Sequence, residues 1–261
     1  MDRILYKLLN WYYKILGYIL LIPNFILYKY HKPKTLIILG MHRSGTSCMT
    51  RIFNLCNVNL GKTLMKAKFD NPKGFWENSL VFEVNEKILK QSGGTWLNPP
   101  SPDQIKVTLF DRLAMLSILY SCPNSVLGIK DPRMLITWHA WKPLIENYCI
   151  VGIFRYPLSV AQSLNKRNRL SNSEGLDLWK KYNQILLSLS KEENITFIDF
   201  DNPDLFENKI TFVLEKLNLT FNKDALKFYN QKNRTSDNVD KIEDNQIYKI
   251  YESFKNLELK N

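Results

Sequence analysis

Cysteine and histidine are scarce in this chain of 261 residues, which contains four Cys and three His. No two cysteines form a CxxC pair, and no cluster of histidines accompanies them. Disulfide frameworks and zinc sites depend on spacings of that kind. The sequence therefore argues against both, predicts that no metal is bound, and favours reduced, mostly buried thiols.

Acidic residues are also in the minority. Lys and Arg number 36 against 25 Asp and Glu, which gives a formal net charge of +11. A chain this basic favours an anionic partner, such as a nucleotide, a nucleic acid, a membrane surface or an acidic glycan. Because no RNA- or DNA-binding motif is present, nucleic acid is not an expected partner.

A long apolar run is missing from residues 1–32, although this N-terminal arm is rich in apolar and aromatic side chains. Its longest uncharged run, 15–28, contains Pro23 and Asn24, whereas a spanning helix needs about 20 apolar residues. Three interpretations stay open: an interfacial helix on a membrane, a single spanning anchor, or a helix packed on the domain or a partner. We expect a cytoplasmic protein that contacts the inner face of a membrane through residues 1–32, with a single-pass anchor as the alternative.

Residues 33–261 are expected to form one three-layer α/β domain. Buried-strand patterns occur at 35–39, 125–129, 149–154 and 195–200. Helical apolar spacing is predicted over 46–56, 78–91, 103–121, 132–146 and 157–168. Strands separated by helices of this length predict a parallel sheet with helices on both faces.

The first motif runs from Thr35 to Ser47 and reads Thr-Leu-Ile-Ile-Leu-Gly-Met-His-Arg-Ser-Gly-Thr-Ser. A buried strand enters a glycine-bounded turn that opens a helix, which suits the binding of a phosphate or sulfate. The spacing resembles GxxxxGK[ST], but Thr46 occupies the position of the lysine that ATP or GTP hydrolysis needs. Here the cation is Arg43, within the loop and surrounded by hydroxyl groups.

A second strand-turn-helix pattern covers residues 149–168. The strand delivers Arg155 to its carboxyl end, which is where ligands bind in open α/β sheets. Ser163 follows two turns into the next helix, and Arg167 lies one turn further on the same face. An arginine and a serine that converge on one phosphate would combine a charge-assisted with a neutral hydrogen bond.

Together the two motifs resemble those of sulfotransferases that use 3′-phosphoadenosine 5′-phosphosulfate (PAPS). The Arg-Ser-Gly-Thr of 43–46 is similar to the family's 5′-phosphosulfate loop, and Arg155 with Ser163 is similar to its 3′-phosphate pair. The resemblance implies a P-loop-like sulfotransferase fold and PAPS as the co-substrate. The residues that it implies for PAPS binding are Arg43, Ser44, Gly45, Thr46, Ser47, Arg155, Ser163 and Arg167.

Sulfuryl transfer needs a base for the acceptor hydroxyl and cations for charge on the bridging oxygen. Arg43 is one predicted cation. Lys130 is the second, because its Lys-Asp-Pro context is similar to that of tyrosylprotein sulfotransferases. For the base we choose Glu77, which follows a glycine-bearing loop and two aromatic residues that would raise its pKa. Asp131 and His42 are the reserve bases, and a helix-capping role for Glu77 or Lys130 is the structural alternative.

The segment 70–78 is similar to one in bacterial sulfotransferases of glycan pathways. The resemblance thus implies a hydroxyl acceptor of saccharide type, a glycan or glycolipid of polysaccharide biosynthesis. It covers about residues 36–168 and departs from the family at the C-terminal GxxGxxK loop, for which 231–235 is the candidate substitute. Two other functions stay open: a P-loop-like nucleotide kinase with Asp199 as its magnesium carboxylate, and a catalytically inactive membrane-associated binding protein.

Overall fold

The computed structural model describes residues 3–67, 71, 74–229 and 242–260 of the chain. Its strands are β1 (Thr35–Leu39), β2 (Leu127–Lys130), β3 (Tyr148–Phe154) and β4 (Ile195–Asp199). Its α-helices are α1 (Arg3–Ile19), α2 (Leu21–His31), α3 (Thr46–Leu55), α4 (Ser79–Gln91), α5 (Leu109–Leu119), α6 (Met134–Trp141), α7 (Pro157–Asn168), α8 (Asn172–Leu189), α9 (Phe206–Lys216) and α10 (Asn245–Lys260).

The strands form a four-stranded parallel sheet in the order β2-β1-β3-β4. Strands β3 and β4 pair with Ile150 opposite Ile195 and Phe154 opposite Asp199. Every residue of β1, β2 and β4 is buried. Near-continuous apolar runs such as Leu-Ile-Ile-Leu in β1 are what parallel strands covered on both faces require. The predicted α/β fold with a parallel sheet is confirmed.

Two predicted helices are shorter in the structure. Helix α5 begins at Leu109 because Thr108 and Asp111 form a capping box, in which the Thr108 hydroxyl accepts from the Asp111 N–H at 3.2 Å. Helix α6 ends at Trp141, where the chain continues as a 3₁₀ turn over Lys142–Leu144. This turn contains a proline, which cannot donate the backbone hydrogen bond that a longer α-helix needs.

The chain divides into two compact units, each with its own core. Unit 1 comprises Met1–Ile37 and Asn57–Tyr148, and unit 2 comprises Ile38–Cys56 and Cys149–Asn261. The largest fully buried side chains of unit 1 are Trp138 and Trp141. Those of unit 2 are Phe53, Phe154, Trp179, Tyr182, Phe197, Phe206 and Phe254.

The N-terminal arm packs within unit 1. Asn10 of α1 is buried, and its amide donates to Glu83 Oε1 at 3.2 Å while its oxygen accepts from Ser79 Oγ at 3.0 Å. In α2, the Tyr28 ring lies 4.8 Å from the Tyr120 ring, centroid to centroid. Across the described ranges, no helix has both the length and the apolar character that crossing a bilayer requires.

Candidate active site

The loop between β1 and α3 belongs to unit 2 and has a conformation that its glycine imposes. Gly45 has φ +89°, and a Cβ atom there would lie 2.1 Å from the Phe200 ring, so only glycine fits. Arg43 also takes a left-handed φ, of +69°. Helix α3 starts at Thr46, and no side chain in the described part of the structure caps this end. Its first N–H groups are therefore suited to an anion.

The two sequence motifs contact each other within unit 2. Arg43 Nε donates a hydrogen bond of 2.8 Å to Ser163 Oγ, which lies on α7 and is buried. A serine hydroxyl that accepts from a guanidinium still has its own O–H to donate. This contact therefore leaves a donor and a positive charge side by side, which is an arrangement suited to an anionic oxygen.

Arg155, directly after β3, is held in place by two side chains of unit 2, Asp201 and Trp179. Its Nε donates to Asp201 Oδ1 at 3.1 Å, and the second oxygen of Asp201 accepts from the Tyr156 N–H at 3.1 Å. The indole N–H of Trp179 donates to the Arg155 carbonyl at 3.2 Å. Side chain and backbone of Arg155 are thus both fixed, and the residue is only 4% exposed.

The buried polar atoms of unit 2 that have no hydrogen-bond partner within the described ranges include two donors from residues predicted to bind PAPS. They are Nη2 of Arg155 and the hydroxyl oxygen of Ser44, a residue with no exposed surface. Buried polar atoms of this kind are rare in proteins, because an unmade hydrogen bond costs about 1–3 kcal/mol. We call Arg43, Ser44, Arg155 and Ser163 the anion cluster. A guanidinium N–H and a hydroxyl in such surroundings fit a ligand with anionic oxygens.

Asp201 is the site residue that sequence analysis missed. It lies 46 residues from Arg155, and the parallel pairing of β3 with β4 carries both strand ends to the same edge. The sequence contains one signal for this role, because Asp201 directly follows the predicted strand 195–200. Asp201 is itself supported by Asp199, whose Oδ1 accepts from the Asp201 N–H at 2.9 Å.

Asp199, the magnesium candidate of the kinase hypothesis, serves a structural network. Besides the Asp201 N–H, it accepts a hydrogen bond of 2.9 Å from Lys255 Nζ on Oδ2. Burial raises the pKa of Asp199, and Lys255 opposes that shift. A carboxylate that is buried and already bonded on both oxygens supports the loop after β4 rather than a metal ion.

The predicted base and the second predicted cation form a buried ion pair in unit 1. Lys130, the last residue of β2, donates from Nζ to Glu77 Oε1 at 2.5 Å and to the Phe75 carbonyl at 3.2 Å. Lys130 is 3% exposed and Glu77 6%. Burial raises the pKa of Glu77, while Lys130 lowers it.

Neither member of this pair caps a helix. The N-cap of α4 is Asn78, whose side-chain oxygen accepts from the Leu80 N–H at 2.9 Å. The N-cap of α6 is Arg133, whose own N–H donates to Asp131 Oδ1 at 2.9 Å. The helix-capping alternative therefore fails for both Glu77 and Lys130.

The reserve bases have other contacts. Asp131 is fully buried, and besides the Arg133 N–H it accepts from Arg133 Nη1 at 3.0 Å and from Asn85 Nδ2 at 3.2 Å. Three hydrogen-bond donors thus already occupy this buried carboxylate. His42 is half-buried, with its ring 6.0 Å from the Tyr182 ring in an edge-to-face arrangement. Glu77 thus stays the best-placed candidate base.

The other predicted residues lie on two helices of unit 2. Thr46 and Ser47 form the first turn of α3, with Thr46 buried and Ser47 half-buried. Arg167 lies one turn beyond Ser163 on α7 and is half-buried. Residues 231–235, the candidate substitute for the family's C-terminal loop, lie outside the described residues.

Comparison with solved structures supports the fold. The chain is similar to a sulfotransferase domain from a Synechococcus olefin synthase, with a TM-score of 0.52 and 14% identity over 85% of this chain and 95% of that one. A Mycobacterium tuberculosis sulfotransferase is similar at a TM-score of 0.44 and 11% identity, over 86% and 77% of the two chains, a score too low to support an argument. No family model and no curated protein matches the chain. The predicted sulfotransferase fold is confirmed by the first match.

Proposed function

We propose that this protein is a sulfotransferase that uses PAPS as its sulfuryl donor and a hydroxyl-bearing acceptor. The observation that carries the proposal is the hydrogen bond of 2.8 Å from Arg43 Nε to Ser163 Oγ. It supports the proposal because the resemblance assigns one segment to the 5′-phosphosulfate and the other to the 3′-phosphate. A nucleotide with two separated anionic groups needs both segments within reach of one molecule.

The residues of the anion cluster fit such a donor. Arg43 and Ser44, with the first N–H groups of α3, would hold the 5′-phosphosulfate. Arg155 and Ser163, together with Arg167, would hold the 3′-phosphate, and the buried Nη2 of Arg155 would gain a partner there. When bound, PAPS supplies a sulfuryl group that is activated by its bond to a phosphate oxygen.

In the proposed reaction, Glu77 accepts the proton of the acceptor hydroxyl, since burial raises its pKa and makes it a stronger base. Arg43 and Lys130 stabilise negative charge on the bridging oxygen. The acceptor oxygen forms a bond to sulfur as the bond from sulfur to the phosphate oxygen breaks. The product nucleotide, 3′-phosphoadenosine 5′-phosphate, retains the electron pair of the broken bond.

The acceptor in this proposal is a saccharide, either a glycan or a glycolipid. Trp96 supports a saccharide acceptor, because a tryptophan ring can stack on a sugar ring. It is half-buried in the segment 93–100 of unit 1.

Calorimetry with the product nucleotide tests the assignment of the 3′-phosphate site. Arg155→Ala should weaken binding by about 2–5 kcal/mol, as expected for loss of a buried charge partner. The matched control is Arg112→Ala, which removes an exposed arginine of α5 and should leave affinity unchanged. Equal affinity of the wild type and Arg155→Ala would show that the site is wrong.

The catalytic role of Glu77 is tested separately, by turnover. Glu77→Gln keeps the size of the side chain but removes the proton acceptor, so it should lower turnover and leave nucleotide affinity almost unaltered. Unchanged turnover would assign the base to another residue, without affecting the nucleotide site.

A further inference from the structure

Helix α1 exposes a large part of its apolar surface to solvent, while a polar residue and a glycine face unit 1. Asn10 is buried, and a Cβ atom at Gly17 would lie 3.4 Å from the side chain of Ser117. The opposite face carries a stripe of residues spaced three or four apart, each 37–68% exposed: Ile4, Leu8, Trp11, Ile15 and Ile19. A helix that packs on a globular body ordinarily has the reverse arrangement, with its apolar stripe toward the core. The outer stripe, as we call these five residues, is therefore not used to fold unit 1.

Helix α2 repeats the arrangement. Tyr28 is buried against Tyr120, while Ile22, Ile26 and Tyr30 follow at intervals of four residues and are 73%, 62% and 81% exposed. Single exposed apolar side chains are ordinary on protein surfaces, but contiguous patches mark sites of interaction. Two consecutive helices carry this exposed apolar spacing, and we take their exposed apolar residues together as one candidate patch.

Within residues 3–32 every charged side chain is basic, and Lys29 of α2 pairs with the exposed Glu146. Lys7 and Lys14 are exposed and lie seven residues apart, at one border of the outer stripe by helical geometry. No Asp or Glu occurs anywhere between residues 3 and 69. Lysines at the edge of an apolar face extend into lipid headgroups while their methylene stems cover the apolar surface. The two helices therefore complement a negatively charged interface, and they contribute no carboxylate of their own to a basic partner.

We propose that the outer surface of α1 and α2 binds a bilayer that contains anionic lipids, with the helices lying in the plane of the interface. An apolar stripe with aromatic members, lysines at its border and no acidic residue is the pattern of interfacial helices. Trp11 and Tyr30 add the amphipathic rings that favour the headgroup region. The indole N–H of Trp11 is the single polar group among the five side chains of the outer stripe, which suits the boundary between headgroups and acyl chains.

Vesicle flotation of the full chain tests the proposal. We expect the wild type to float with vesicles of phosphatidylcholine and phosphatidylglycerol. The double variant Trp11→Ser, Ile15→Ser should bind at least about tenfold more weakly, because it removes apolar area from the interface. Lys7→Gln and Lys14→Gln should each weaken binding by about fivefold on these vesicles and have no effect on pure phosphatidylcholine. Leu259→Ser, at an exposed leucine of unit 2, is the matched control and should float as the wild type does.

Three outcomes would overturn the proposal. The wild type would fail to float with either kind of vesicle, or the Trp11→Ser, Ile15→Ser variant would float as well as the wild type. In the third outcome, sedimentation would show that the wild type is a dimer and that this variant is a monomer, while flotation stays the same. That result would assign the surface to contact between copies of the chain. All substituted side chains are exposed, so thermal unfolding of each variant should match the wild type and exclude a folding defect.

Discussion

Replacing Lys130 with methionine should destabilise the protein through the carboxylate that it leaves behind. Lys130 and Glu77 are both more than nine-tenths buried and are joined by a hydrogen bond of 2.5 Å. Methionine fills a similar volume but leaves Glu77 as a buried charge without its partner, which costs about 3–5 kcal/mol. For a chain of this size, a loss of that order lowers the melting temperature by about 6–20 °C.

The loss should depend on pH, because the unpaired Glu77 can take up a proton. Burial holds its folded-state pKa above the usual 4.5, and the variant lacks the lysine that opposes this shift. A group with a raised folded-state pKa contributes most stability below its unfolded pKa and loses it as pH rises through the folded value. The deficit of Lys130→Met relative to the wild type should therefore be smaller near about pH 5 than near about pH 8.

Urea unfolding at the two pH values measures both effects, and the double variant Lys130→Met, Glu77→Gln provides the control. Because the second substitution removes the buried charge, the double variant should recover most of the lost stability and show little pH dependence. A cost below about 1 kcal/mol, the range of exposed ion pairs, would refute the argument. So would a double variant no more stable than Lys130→Met.

Two further predictions concern unit 2. Asp201→Asn should weaken binding of the product nucleotide by about tenfold, because it removes the charge that orients Arg155. The control is Asp204→Asn, at a nearby exposed aspartate, which should have no effect on binding. Equal affinities of the two variants would exclude a positioning role for Asp201. Gly45→Ala should cost at least about 2 kcal/mol of stability and abolish nucleotide binding, because its Cβ would overlap the Phe200 ring. Gly93 provides the control, because its φ of +81° is similar but no atom lies within 4 Å of an added Cβ. Gly93→Ala should therefore cost only about 1 kcal/mol of unfolding free energy. Equal losses in the two variants would refute the steric argument.

The local pattern of apolar residues, glycine and proline was sufficient to predict the strands and helices that carry the motifs. Strand β1 and helix α7 have the predicted bounds, because a lysine and a glycine flank the apolar run of the first and a proline begins the second. Strand β2 lies two residues later than predicted at its start and one later at its end, which makes Lys130 its last residue. A turn precedes it and occupies Ser125, where the apolar pattern alone predicted strand.

Sequence patterns did not predict contacts between residues that are far apart in the chain. The ion pair of Glu77 with Lys130 joins residues 53 positions apart, and the bond from Arg43 to Ser163 joins residues 120 apart. The motifs predicted each of these residues singly, but their pairing follows from tertiary packing. Asp201 was missed for the same reason, since its role exists only through its contact with Arg155. The roles of these residues in catalysis and in PAPS binding stay predictions.

The most direct test compares three nucleotides by calorimetry on the wild-type chain: 3′-phosphoadenosine 5′-phosphate, adenosine 5′-phosphate, and ATP with magnesium. Sulfotransferase function predicts tight binding of the first and a loss of at least about 2 kcal/mol when the 3′-phosphate is missing, because Arg155 then lacks its anionic partner. Tighter binding of ATP with magnesium would favour the nucleotide kinase. No binding of any of the three would favour a catalytically inactive binding protein, and either result would contradict PAPS use.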